Sequence, residues 1–210
     1  KGRVRKMAIS VAAEFDMEQQ TGAGSTTYTT TGSITPTADT LQLCIVSVLS
    51  DTGAWTGSPT LVSNATTTWP LKQTVAAFST RLLFLFHAVN PSAGTLVFTR
   101  PGAETYSALN IHPLEVTGSI ITGVHGDTAF VQIATVTQDT LVSVDTTATF
   151  GGAMAAGNGA VAAFARYDAS TNASTPRTGW TELDDEEVAA TISLVTHWRA
   201  DTDTAATATH

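Results

Sequence analysis

Apolar and polar positions alternate with a period of two along much of this chain. Met7, Ile9, Val11, Ala13 and Phe15 fall on one side of the opening segment, with Ala8, Ser10, Ala12, Glu14 and Asp16 on the other. That period predicts a half-buried strand. Residues 26–33 are rich in Thr and predict an edge strand, which Pro36 ends. Residues 41–49 and 81–89 are nearly continuous apolar runs, and the first predicts a central, buried strand. Asn90-Pro91-Ser92-Ala93-Gly94 has turn composition, so 95–99 returns from it as a hairpin. Residues 106–116 are extended, with Pro113 marking an edge or a bulge. Shorter strands are expected over 129–135, 140–144, 160–167 and 180–183. In the last clear strand Ile192, Leu194, Thr196 and Trp198 share a face. No convincing amphipathic helix is present, although 75–78 and 186–190 have room for one turn each.

Many short strands with turn signals between them predict an all-β fold, an antiparallel two-sheet β-sandwich of jelly-roll-like type. The expected core is Leu41, Leu43, Ile45, Leu83, Leu85, Val131, Ile133, Phe164, Ile192 and Leu194. Composition shifts little along the chain. A single domain is therefore expected over 26–200, after an N-terminal strand or arm (1–25) and before a polar tail (201–210).

Composition changes the picture in one respect. The chain has 210 residues, and its 42% hydrophobic content is enough for a core, but only 13% of residues are charged. That is about half the usual share. Thr, Ser, Ala and Gly fill the gap, so the surface is solvated by hydroxyls, as suits a long-lived extracellular assembly. The net charge of −8 argues against nucleic-acid binding, which needs a basic patch to displace counterions from phosphate. Lys1, Arg3, Arg5 and Lys6 form the one basic cluster, a short arm for an acidic partner or a flexible end. Cys44 is the sole cysteine, which rules out an intrachain disulfide and reads as a small buried hydrophobe. No apolar run approaches the ~18 residues of a membrane span. Glu14, Asp16 and Glu18 interrupt what a signal peptide would keep apolar, so synthesis in a cytoplasm without a signal peptide is expected.

Catalytic patterns are weak. There is no Gly-x-Ser-x-Gly elbow, and His125-Gly126-Asp127 reads as a loop hydrogen bond. His87, His112, His125, His197 and His210 are scattered, without zinc-ligand spacing. Asp184-Asp185-Glu186-Glu187 reads as a solvated loop, because consecutive carboxylates rarely converge on one Ca²⁺. The Gly pairs near 151 and 157 lack a phosphate-loop Lys. No enzyme, cofactor or metal site is expected. Trp55, flanked by Gly53 and Gly57, and Trp180 are the candidate ligand contacts, because indole rings stack on sugars.

Two stretches carry a resemblance. One runs Thr31-Gly32-Ser33-Ile34-Thr35-Pro36-Thr37-Ala38-Asp39-Thr40-Leu41-Gln42-Leu43, and the other is Gly179-Trp180-Thr181-Glu182-Leu183-Asp184-Asp185. Between them come Ser58-Pro59-Thr60-Leu61, the Trp69 segment, 81–89 and Leu114-Glu115-Val116-Thr117-Gly118. This order resembles uncharacterised β-sandwich structural proteins of tailed bacteriophages, found among tail, fibre and capsid-decoration components. The resemblance covers roughly residues 31 to 198 and carries over no catalytic residue. It implies a virion location, with copies of the chain or other virion proteins as partners and a homo-oligomeric or particle-bound state. Such proteins often close with an apolar strand, whereas 201–210 is polar. That end is then disordered, completed by another subunit, or bound elsewhere. The expected inter-subunit arm is 1–15, with Met7, Ile9, Val11 and Phe15 as contacts. Three rival roles stay open: a receptor- or carbohydrate-binding fibre module, a subunit of a non-viral filament, and a depolymerase-like enzyme.

Overall fold

The computed structural model describes residues 8–21, 25–77, 79–119, 121–122, 124–137, 146–155, 157–166, 175–188, 192–200 and 205–209. Its strands, numbered in chain order, form four antiparallel sheets among those residues. The central sheet contains β1 (Ser10–Ala13), β2 (Glu18–Thr21), β4 (Leu41–Ser50), β7 (Leu71–Ala77), β8 (Arg81–Val89) and β10 (Tyr106–Thr117). Its order is β1-β10-β4-β8-β7, with β2 also on β10. An outer sheet runs β3 (Thr27–Ile34), β9 (Gly94–Thr99), β5 (Thr60–Ser63), β6 (Thr67–Trp69). A C-terminal sheet has β15 (Ile192–Ala200) between β12 (Gly159–Arg166) and β14 (Thr181–Val188). A small sheet has β16 (Ala205–Thr209) between β11 (Thr146–Thr149) and β13 (Thr175–Pro176).

The central sheet is covered on both faces, and that explains the unbroken apolar run of β4. Successive strand residues point to opposite faces. Cys44, Val46 and Val48 face the outer sheet with Phe84, Phe86, Leu109 and Ile111, against Leu61, Trp69, Leu96 and Phe98. Leu41, Leu43 and Ile45 face the other way with Leu114 and Val116, against Leu194, Val161, Ala163 and Trp198. A strand buried on both faces loses the period-two alternation of a half-buried one. Beyond the C-terminal sheet a third cluster gathers Met154, Phe164, Trp180 and Val195. Each buried Phe or Leu contributes about 1.5–3 kcal/mol relative to exposure, so these clusters dominate cohesion.

The all-β antiparallel sandwich agrees with the sequence, but the stack is deeper than two sheets and its strand orders do not establish a jelly roll. Pro113 lies inside β10, not at a sheet edge. β1 pairs residues 114–117 and β2 pairs 108–111, so Pro113 occupies the gap between two strands laid end to end. Its missing N–H removes no ladder bond there, and its carbonyl accepts from Glu14 N at 3.0 Å.

Several expectations need correction. Residues 129–135 are not a strand: a 3-10 helix covers Val124–Ala129, and residues 130–137 join no described sheet. Val131 and Ile133 are exposed rather than core, and Leu83 and Leu85 are only partly buried. The acidic run 184–187 belongs to β14 rather than a loop, and 75–77 to β7 rather than a helical turn. The polar C-terminus supplies β16, paired within the chain to β11 and β13. The expected strand over 140–144 lies outside the described residues.

Candidate functional site

The described part of the expected inter-subunit arm, residues 8–15, packs against this chain's own sheets. β1 pairs with β10 in register Val11↔Val116, and Val11 is buried in the cluster between the central and C-terminal sheets. Ile9 packs against β12: a Cβ on Gly159 would stand 2.7 Å from Ile9 Cγ2. Phe15 packs over β3, where a Cβ on Gly32 would stand 2.7 Å from its ring. Met7 lies outside the described residues. Three of the four proposed contacts are therefore already engaged. The predicted alternation is realised as a strand only over Ser10–Ala13, where Val11 is buried and Ala13 is exposed.

The two tryptophans part ways. Trp180 is buried, 7% exposed, with Phe164 and Val195, so its ring is core and presents no stacking face. Trp55 stays partly exposed in the loop after β4. Its ring stacks on Phe84 at 5.6 Å and 24° between planes, and on Phe98 at 6.3 Å and 28°. It borders a recess of about 240 Å³ lined by Pro59, Thr74, Ala76, Leu82 and Phe84 among others. The indole Nε1 is shielded from solvent and has no hydrogen-bond partner among the described residues. A buried orphan donor of this kind costs about 1–3 kcal/mol unless something accepts from it. The loop itself is held by Glu104, whose carboxylate accepts from Thr52 Oγ1 at 2.6 Å and Thr56 N at 3.2 Å.

The titratable side chains serve as fasteners between layers. His112, on β10, is fully buried, and its Nδ1 meets Thr196 Oγ1 of β15 at 2.8 Å. Its Nε2 stands 4.0 Å from Asp184 Oδ2 of β14. Burial lowers the imidazole to about 4, against the opposing pull of Asp184 and Asp16. Asp184 Oδ2 also accepts from Met17 N at 2.7 Å, and Glu186 accepts from Gln19 Nε2 at 2.5 Å. Burial beside Asp184 raises the Glu186 carboxyl. The order Asp184–His112–Thr196 has the residue types of a hydroxyl nucleophile with its base, but Thr196 is fully buried, so no substrate reaches it.

A second histidine ties down the 3-10 helix. His87 Nδ1 lies 2.9 Å from the His125 carbonyl, and its Nε2 lies 3.4 Å from Asp127. Asp127 accepts from Lys72 Nζ at 2.8 Å, and Lys72 lies over the Phe130 ring. The expected His125–Asp127 loop bond is thus replaced by His87 and Lys72. Gly126 at φ +80° brings this turn against Val89, where a Cβ would stand 2.7 Å from Cγ2. Cys44 is fully buried, and burial pushes its thiol far up, which suits an inert core position. Among the described residues no three His, Cys, Asp or Glu side chains gather at metal-binding distance. On β14 the alternating pleat sends Asp184 and Asp185 to opposite faces.

Two carboxylates missed in the sequence organise the Thr-rich loops. Glu18 accepts from Gly32 N at 2.5 Å, Thr31 N at 2.8 Å and Tyr28 Oη at 2.7 Å, where β3 bulges away from β9 between Thr29 and Ser33. Glu115 accepts from Thr37 N, Thr37 Oγ1, Thr40 Oγ1 and Gln42 Nε2. Burial raises both carboxyls, but the hydrogen bonds outweigh it and leave both below the ordinary range. Nothing local in sequence marks these roles, since Glu115 and its nearest partner are 73 positions apart. Comparison with protein-family models, with curated proteins and with solved structures finds no match for this chain. No helix among the described residues is long and apolar enough to cross a membrane.

Proposed function

We propose that this chain is a non-enzymatic structural protein of a tailed-bacteriophage virion, decorating or stabilising the capsid or tail through subunit contacts. The observation that carries the reading is the placement of His112, His87, Thr196 and Cys44. All four are buried and are spent on packing or on bonds between layers. A general base or nucleophile must reach its substrate, whereas His112 and Thr196 face each other, His87 faces the His125 carbonyl and Asp127, and Cys44 packs in the core. The sequence resemblance supplies the virion context. A surface of hydroxyls with few charges fits contact with neighbouring subunits, because it avoids the desolvation of ions.

A fibre module that binds a receptor or carbohydrate is the second reading, favoured by the recess beside the partly exposed Trp55 ring. Immunogold labelling of particles with antibody to the full chain tests the first reading. Label on capsids or tails is expected, and antigen confined to the soluble fraction would overturn it. Thermal unfolding with bacterial surface polysaccharide tests the second. A Tm that rises with glycan in the wild type and not in Trp55→Phe would establish it. A Tm indifferent to glycan would remove it.

A further inference from the structure

Residues 131–137 read Val-Gln-Ile-Ala-Thr-Val-Thr, a sequence of high strand propensity without a charge. Yet the segment joins no sheet among the described residues. One side is held: Gln132 Nε2 donates to the Gly152 carbonyl at 2.8 Å, and Gly152 N donates to Gln132 Oε1 at 3.2 Å. The alternate positions are bare, with Val131 75% and Ile133 40% exposed, and Val136 further along is 39% exposed. Local preference and tertiary context therefore conflict at this segment in the single chain. Such conflicts mark functional sites more often than flaws.

The segment starts beside an open edge. Phe130 lies 5.1 Å from the His87 ring and under Lys72 of β7 at 4.7 Å. β7 ends the order of the central sheet and pairs only with β8 among the described residues. Edge strands are usually guarded by charge, Lys above all. The single charge of β7, Lys72, is already neutralised by Asp127 at 2.8 Å. β7 bulges between Leu71 and Gln73, so the regular edge from Gln73 to Ala77 is the part that can accept a strand, which would add main-chain hydrogen bonds to the sheet.

We propose that residues 131–137 are an intermolecular strand, laid along β7 of a second copy of this chain. The segment leaves the fold next to its own β7. Two copies related by a two-fold axis through facing β7 edges therefore exchange segments over a short reach. The contact is isologous and closes as a dimer. Neither strand brings an uncompensated charge to the seam, and Val131 and Ile133 gain cover. The proposal does not depend on a virion role, since a fibre module would pair the same way.

Light scattering of the full chain over a concentration series, with hydrogen exchange on the same samples, tests it. The expected mass doubles with concentration, and the amides of 71–77 and 131–137 gain protection together. Val131→Glu with Ile133→Glu should hold the protein at one chain's mass without lowering its Tm, since both side chains face solvent in the single chain. Three results would overturn the proposal: a single chain at every concentration, a dimer indifferent to the double variant, or a dimer whose new protection lies elsewhere. A single chain would leave the virion reading intact, because that reading is decided on particles.

Discussion

His112 Nδ1 and Thr196 Oγ1 meet at 2.8 Å in the interior, 84 positions apart in sequence, and they join the central sheet to the C-terminal sheet. Around them the interface is otherwise built of Leu43, Ile45, Leu114, Leu194 and their neighbours. A polar pair in such surroundings is sensitive to loss of either partner, because the remaining group stays desolvated. Thr196→Val should therefore cost about 1–3 kcal/mol. Combined with His112→Leu it should cost less than the two single changes added together. Urea unfolding of the four proteins gives the coupling, and strict additivity would show that the contact contributes nothing.

The same histidine gives the fold an acid response. In the folded chain His112 titrates near 4 rather than at its usual 6.5, because burial disfavours the cation. Between those values the unfolded chain binds a proton that the folded chain does not, so stability falls with pH across the window and levels off below it. His112→Asn removes the titration while keeping a polar group at the position. Its stability should vary less between pH 6.5 and pH 4 than that of the wild type, and denaturant midpoints at several pH values measure this. His87, also lowered by burial, contributes in the same direction and should leave a residual slope.

A lower acid transition belongs to the carboxylates. Glu18 and Glu115 are held below the ordinary carboxylate range by the N–H and hydroxyl donors around them. Their contribution is complete above the unfolded value near 4.5 and is lost as pH falls through the depressed folded value. Glu115→Ala would leave Thr37 N without its acceptor and Gln42 Nε2 with only Thr40 Oγ1 at 3.3 Å. A loss of about 2 kcal/mol at pH 7 is expected, with a weaker decline below pH 4. Thermal unfolding at pH 7 and pH 3 measures both.

The legible parts of the fold are those whose signals are local. The doubly buried β4 declares itself because both faces are apolar, and the strands 81–89 and 106–116 because their patterns are local; the hairpin expected after 81–89 is not formed, since β9 crosses to the outer sheet and pairs with β3 and β5. β14 does not, since Asp184 and Glu186 look like solvent-facing charge until Met17 N and Gln19 arrive from 167 positions away. Val131 and Ile133 carry a strand preference that this chain does not realise: propensity reports what a segment favours, not whether this chain supplies its partner. The N-terminal alternation suggests a surface for another molecule. Val11 and Ile9 instead cover the central and C-terminal sheets, which periodicity alone does not distinguish from a neighbour's. Trp180 and Trp55 have similar local surroundings in sequence, and only packing separates a core ring from one at the rim of a recess.

Cys44 offers a probe of the core that leaves the surface untouched. It stands on β4, paired with Phe86 on one side and Pro113 on the other, with no exposure and no cation beside it. A thiol reagent needs the thiolate, and burial holds the thiol far above its usual titration range. Reaction must therefore wait until β4, β8 and β10 separate. Since these strands hold the cores on both faces of the central sheet, that opening is expected to be global rather than local. The reaction with a neutral thiol reagent should be slow in buffer, accelerate with urea along the unfolding curve, and give the same free energy as fluorescence. Rapid labelling in buffer would instead mean that the β4–β10 seam opens by itself and that the three layers do not unfold as one unit.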